Sequence, residues 1–225
     1  AAWLPLIFLL FWRALRTRSL GLAAGAGAVF GISTLEGHLQ ITLYTGLALA
    51  VATAVEAVIA RRSGRGWAWS ILTLVITAAV AIGLSALVLL PTFEYARLSP
   101  RAELPYREAA RYSLEPGLLG EMLVPALFGS REPSLYWGVW DRVAVGYLGI
   151  FPLILAGLAV LIRRGRRVAL FASLAVVAFL LALGGASIMH GWAYRLLPGF
   201  DQIRAPARAI VLVDFALAAL AALAL

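Results

Sequence analysis

Apolar residues run along this chain in blocks, at about 1–12, 19–35, 41–60, 67–90, 143–162, 168–184 and 207–225, and polar residues gather in the gaps. A helix rising 1.5 Å per residue needs about 17–25 predominantly apolar residues to cross the hydrocarbon layer of a bilayer. The blocks therefore predict an all-α, polytopic membrane bundle of about seven spans, with the first and last truncated. Residue 1 already lies in an apolar run and Leu225 stops inside another, so the chain is expected to be an internal piece of one longer transmembrane domain. The run Trp3 to Trp12 precedes its arginines, the reverse of a secretory signal peptide.

The gaps differ in charge. One holds Arg13, Arg16 and Arg18, another Arg61, Arg62 and Arg65, and a third Arg163, Arg164, Arg166 and Arg167, all without an acid. Basic short loops face the cytoplasm. That rule predicts loops 13–18, 61–66 and 163–167 inside, and the tip 36–40, the segment 92–142 and the segment 185–206 outside. The segment 92–142 is too long for a plain connection and reads as a partly helical extracytoplasmic insertion. Pro105 opens a predicted helix to Tyr112, and Ser113 to Phe128 reads as an amphipathic helix lying in the membrane interface. Ile188 to Leu197 reads as a short amphipathic piece, and Pro206 as the opening of the last helix. Gly and Ala between Ser19 and Leu35 predict an interior helix, because small residues let helix backbones approach closely in lipid. Pro91 is expected to end its span, Pro152 to kink its own, and Trp67 and Trp69 to anchor at the interface.

Composition agrees with this pattern: 63% of residues are hydrophobic and 13% charged, against roughly half and a quarter in soluble domains. The net charge of +8 comes from arginines placed as topology signals, which speaks against nucleic acid as a partner. No cysteine is present, so this chain offers neither a disulfide nor a thiolate metal site.

Candidate chemistry begins at Glu36, His38 and Gln40, held at a tight hairpin tip. Imidazole can donate to a phosphate or hydroxyl in either protonation state, and Gln offers donor and acceptor; polar groups meeting headgroup water is the plainer account. One His beside one Glu falls short of a metal ligand set, so no metal is indicated and a divalent cofactor stays open. Glu94 could orient an acceptor hydroxyl or take its proton, although a salt bridge with Arg97 or Arg101 on a solvated loop explains it more simply. Arg204 and Arg208 bracket Pro206 at a helix start, a reasonable phosphate site, or they snorkel to headgroups. Asp214 inside a span is expected to have a structural partner on a neighbouring helix. Glu56 is expected to snorkel to the interface, Tyr136, Trp137 and Trp140 to stack on a sugar or anchor at the membrane, and His190 has no assigned role.

Several landmarks occur in a particular order: Trp3-Leu4-Pro5-Leu6, Gly37-His38-Leu39-Gln40, Leu89-Leu90-Pro91-Thr92-Phe93-Glu94, Leu98-Ser99-Pro100-Arg101, Pro125 to Gly129 followed by Tyr136-Trp137-Gly138, Tyr147-Leu148-Gly149, Leu197-Pro198-Gly199-Phe200 and Arg204-Ala205-Pro206-Ala207-Arg208. Together they resemble the bacterial YfhO-like membrane proteins, grouped with the GT-C glycosyltransferases. The chain departs at Leu39, where that pattern has Pro. The resemblance implies a multi-pass enzyme of the bacterial cytoplasmic membrane that moves a sugar from a polyprenyl-phosphate carrier to an envelope glycan or polymer acceptor on the outer face. It also implies a catalytic carboxylate upstream of Ala1, with Glu36, His38, Gln40, Arg97, Arg204 and Arg208 binding substrate and Glu94 a weaker catalytic candidate. Two rival classes remain: a transporter or flippase for a lipid-linked substrate, and a non-catalytic membrane scaffold for an envelope enzyme.

Overall fold

The computed structural model describes residues 2–64, 66–99, 104–129, 135 and 146–225, with the Arg97 side chain excepted. Every regular element among them is helical. The chain separates into two compact units, Ala1–Ala102 and Glu103–Leu225, with the division inside the predicted insertion.

The first unit holds α1 (Leu4–Thr17), α2 (Leu20–Thr34), α3 (Leu39–Arg62) and α4 (Ala68–Arg97). In α1, Leu4, Ile7, Phe8, Phe11, Ala14 and Leu15 are buried, the stripe that a 3.6-residue period produces. Arg18 turns the chain through a left-handed conformation (φ 54°), and the Ser19 side chain caps α2 by accepting from the Leu22 amide at 3.2 Å. As its small residues predict, α2 is interior: Ala23, Ala26, Gly27 and Gly31 are buried. Its seam with α4 is backbone against backbone, and the Thr77 hydroxyl donates to the Ala23 carbonyl at 3.0 Å. The Trp69 indole does not simply mark an interface; it donates to the Ala14 carbonyl at 3.3 Å, tying the start of α4 to the end of α1. At the other end the Trp3 indole donates to Glu36. Arg13, Arg16, Arg61 and Arg62 thus share one end of this unit, and Glu36 and His38 lie at the opposite end.

The second unit holds α5 (Tyr106–Ala109), α6 (Ile150–Ile162), α7 (Arg166–Ala182), α8 (Ile188–Leu196) and α9 (Ile210–Ala224), with short 3-10 turns between them. Ala156 and Ala159 of α6 pack on Leu220 of α9, flanked by Val168, Phe171 and Leu217. Phe171 and Phe215 meet edge to face at 5.9 Å, and Arg163 reaches the Ala224 carbonyl at 3.4 Å.

Among the described residues three helices are long and apolar enough to cross a membrane: Leu39–Arg62, Ala68–Ala96 and Pro206–Ala224. Only 22% of the most apolar window of Ala68–Ala96 is buried, while Leu87 and Leu90 are 87% and 69% exposed. The length and apolarity of these helices, with so much of their surface uncovered, fit a membrane protein. The other predicted spans form shorter helices: Leu4–Thr17, Leu20–Thr34, Ile150–Ile162 and Arg166–Ala182. The 13 residues of α6 reach about 20 Å, against roughly 30 Å of hydrocarbon.

Prolines account for two further departures. Pro91 does not end α4, which continues to Arg97, so Glu94 is helical. Pro152 does not kink a helix, because α6 starts at Ile150 and a first-turn proline lacks only an amide that has no partner there. The predicted helix Ser113–Phe128 is a 3-10 turn over Pro116–Met122 followed by turns; Gly117, Gly120 and Pro125 weaken an α-helix there. The helix opened by Pro105 is a single turn, Tyr106–Ala109. Ile188–Leu196 and the opening at Pro206 form as predicted. Tyr136, Trp137, Trp140, Arg101 and Arg65 lie outside the described residues.

Candidate functional site

At the tip between α2 and α3, Gly37 takes φ +78° with open space around it. This reversal leaves Glu36 and His38 on one side. Both line a pocket of about 20 Å³ with Trp3, Ser33, Thr42 and Thr45, enough for about one water or one substrate oxygen. The Trp3 indole holds one carboxylate oxygen of Glu36, and the exposed His38 stands at the rim. A carboxylate fixed in this way can orient a hydroxyl in the pocket that His38 also lines. Gln40 does not join them: it is 7% exposed and donates to the Tyr44 hydroxyl at 2.9 Å within α3. Its polarity is spent inside the helix bundle. Trp3 is the partner that sequence reasoning missed, since its distance of 33 positions from Glu36 carries no local signal.

Glu94 is exposed near the end of α4 and is not among the pocket residues. It sits ten positions beyond Leu84, which faces Gly31, or about 15 Å along the helix. Glu56 does not snorkel. It is 8% exposed, and its Oε1 has no hydrogen-bond partner among the described residues. Asp214 in α9 lies against the backbone of Gly146, where a Cβ would collide with the carboxylate. Its Oδ1 also lacks a partner among the described residues. Among the described residues what faces the carboxylate is a glycine, whose missing side chain makes room for the acid.

Arg204 and Arg208 are exposed on either side of Pro206. The amides that would make this an open anion site are already engaged: Ala205 donates to the Arg111 carbonyl at 3.0 Å and Ala207 to the Tyr112 carbonyl at 3.3 Å. The Ala205 and Ala207 amides are therefore not open to an anion.

His190, without a role in the sequence reading, lies at the edge of an aromatic cluster centred on Tyr106. It is 3% exposed, its ring is 5.6 Å from that of Tyr106, and Tyr106 meets Tyr194 edge to face at 5.3 Å. The Tyr194 hydroxyl donates to the Leu104 carbonyl at 2.7 Å, while His190 Nδ1 has no partner among the described residues. The available signal was the four-residue spacing of His190 and Tyr194, which places both on one helix face. Burial holds the imidazole below its ordinary value of 6.5, since a charged ring would lose its hydration. The unfolded chain then binds the proton more readily. The neutral ring's contribution is fully present above about pH 6.5 and is lost as pH falls through the lower folded value. Unfolding of the second unit followed against pH should show this acid limb, and His190→Phe should flatten it.

Among the described residues no group of three or more His, Cys, Asp or Glu side chains could hold a metal ion. Compared with protein-family models, curated proteins and solved structures, the chain matches none.

Proposed function

We propose that this chain is part of a multi-pass glycosyltransferase of GT-C type that moves a sugar from a polyprenyl-phosphate carrier to an envelope glycan or polymer acceptor. On this reading all seven apolar blocks insert, with the shorter helices completed by their flanking segments, and the arginine-rich loops face the cytoplasm. The reaction then takes place at the outer face of a bacterial cytoplasmic membrane. The ordered series of short motifs resembling YfhO-like proteins suggests the chemistry. The structural observation that supports it is the shared pocket of Glu36 and His38 at the end of the first unit away from the arginines. A pocket of about 20 Å³ admits one oxygen and not a sugar, so its proposed part is to hold a phosphate or hydroxyl oxygen beside a catalytic carboxylate supplied elsewhere in the protein.

Transfer is to be measured with the full chain in membranes, supplied with polyprenyl-phosphate sugars and a panel of envelope acceptors. We expect turnover in the parent. For His38→Ala we expect a fall of about 10–100-fold in kcat/KM at unchanged expression, the loss of a hydrogen bond to a charged group worth ~1.5–3 kcal/mol. Absence of transfer by a folded protein with every donor and acceptor would overturn the assignment, and unchanged turnover in His38→Ala would remove the pocket from it.

A further inference from the structure

The outward face of α8 is not used by anything described so far. Ile188, Trp192 and Leu196 follow one another at four-residue intervals and are 73%, 57% and 76% exposed, while His190 and Ala193 on the other side are 3% and 4% exposed. The three exposed residues make an apolar line about 12 Å long. Nothing within the described residues of this unit covers this face of the nine-residue helix, and water is a poor partner for it.

Its place in the chain identifies the partner. The helix starts six residues after α7 ends at Ala182 and stops ten residues before Pro206, where the membrane-spanning helix Pro206–Ala224 begins. It therefore lies near the level at which these helices leave the hydrocarbon, where Trp is enriched because its ring is apolar and its N–H is wet. On its inner side the helix is fixed to α5 by the Tyr106–Tyr194 contact and the Tyr194–Leu104 hydrogen bond, so it cannot roll freely.

Beside the apolar line is an open groove of about 600 Å³ lined by Tyr106, Gly191, Tyr194, Ile188, Trp192 and Arg195 among others, within the range of small-ligand sites. Ile188 and Trp192 belong to both the groove and the line, so the groove opens on the side that meets lipid. Arg195 is the one charged residue among the described residues of its lining, and a guanidinium pairs with phosphate through parallel N–H donors.

We propose that α8 lies in the headgroup layer with Ile188, Trp192 and Leu196 turned to the acyl chains, and that the adjoining groove holds the headgroup of an anionic phospholipid of that bilayer, its phosphate on Arg195. The proposal rests on membrane embedding and not on sugar transfer, so it can fail or stand independently of the glycosyltransferase reading.

Because the chain has no cysteine, single substitutions Ile188→Cys, Leu196→Cys and, as the solvent reference, Glu115→Cys can each carry an environment-sensitive fluorophore. The full chain is placed in nanodiscs of phosphatidylcholine with a minority of phosphatidylglycerol, which leaves both faces open to solvent. Dye at 188 and 196 should be quenched by lipid carrying a doxyl group near the top of its acyl chain and protected from iodide, with the reverse at 115. Equal iodide quenching at all three positions overturns the interfacial placement. In the second arm, the ratio of phosphatidylglycerol to phosphatidylcholine retained by the purified protein is measured by native mass spectrometry. Arg195→Gln should lower it by about threefold or more, the scale of a partly solvated ion pair, with Arg107→Gln leaving it unchanged. An unaltered ratio in Arg195→Gln, or an equal fall in both variants, overturns the headgroup site.

Discussion

Replacing Gly27 by alanine should lower the stability of the first unit by about 1–3 kcal/mol, the scale of forcing one methyl group into a filled interface. A Cβ at this position would stand 2.6 Å from the Thr77 carbonyl oxygen and 2.8 Å from the Val80 Cβ. The carbonyl belongs to the α4 backbone and cannot rotate away, so α2 and α4 must separate. Separation in turn stretches the bond from the Thr77 hydroxyl to the Ala23 carbonyl, now 3.0 Å. One turn on, Gly31 repeats the arrangement, with 2.9 Å to the Leu84 Cβ and 3.0 Å to the Ala81 carbonyl. The pair forms the close seam that small residues at four-residue spacing allow between helices in lipid. Gly25 is the internal control. Nothing lies within 4 Å of a Cβ there, and alanine favours the helix over glycine by about 1 kcal/mol, so Gly25→Ala should be neutral or mildly stabilising. Thermal unfolding of both variants in one detergent checks the prediction, and equal midpoints would mean that the seam is looser than described.

Gly184→Ala should act more strongly still, by about 2–4 kcal/mol, because two independent penalties fall on one position. The backbone at Gly184 has φ +50°, a left-handed conformation that disfavours a residue with a Cβ by roughly 1–2 kcal/mol. The added methyl would also run into the Ser113 hydroxyl, with the Ser113 Cβ at 2.7 Å and the Pro206 Cγ at 3.0 Å. Three stretches of the second unit are knotted here. The Leu114 amide donates to the Ala182 carbonyl at 2.8 Å, the Gly185 amide to the Ser113 hydroxyl at 3.0 Å, and Ala205 and Ala207 bond back to Arg111 and Tyr112. Loosening the knot should speed hydrogen exchange at Leu114, Ala205 and Ala207 together. Gly185→Ala, whose nearest neighbour would be the Ala110 Cβ at 3.7 Å, should not do so. Ser113→Gly in the Gly184→Ala background should recover part of the loss, since it removes the clash and leaves the strained φ; no recovery would assign the whole effect to the backbone.

These two positions also fix the surroundings of the candidate residues. The α2–α4 seam ends just before the tip that carries Glu36 and His38, and the knot at Gly184 lies between α7 and α8 and against the turn that carries Arg204 and Arg208. Substitutions there are expected to displace these candidate residues without touching their side chains. A loss of transfer in such a variant must therefore be read together with its unfolding midpoint.

What the sequence by itself determined was the set of properties that each segment carries alone. A long unbroken run of apolar side chains favours a helix in lipid, where every backbone amide needs an internal partner, so the helical blocks, the interior character of Ser19–Leu35 and the opening at Pro206 were legible, whereas most of the arginines expected in loops lie at the ends of α1, α3 and α7. Local chemistry was less so where two tendencies compete. Pro91 was compatible with an end or a continuation, and the apolar face of Ser113–Phe128 outweighed, in sequence reasoning, the glycines and prolines that keep it from forming an α-helix. Only the tertiary structure decided which polar groups meet. Gln40 and His38 are two positions apart, yet one is turned into the bundle toward Tyr44 and the other stands over a pocket with Trp3. Glu56 is buried instead of snorkelling, Asp214 finds a glycine backbone, and His190 finds the Tyr106 ring. Each of these outcomes depends on how far a helix is rotated and how closely its neighbour approaches. A rotation of about 100° per residue makes that outcome depend on contacts between residues tens of positions apart.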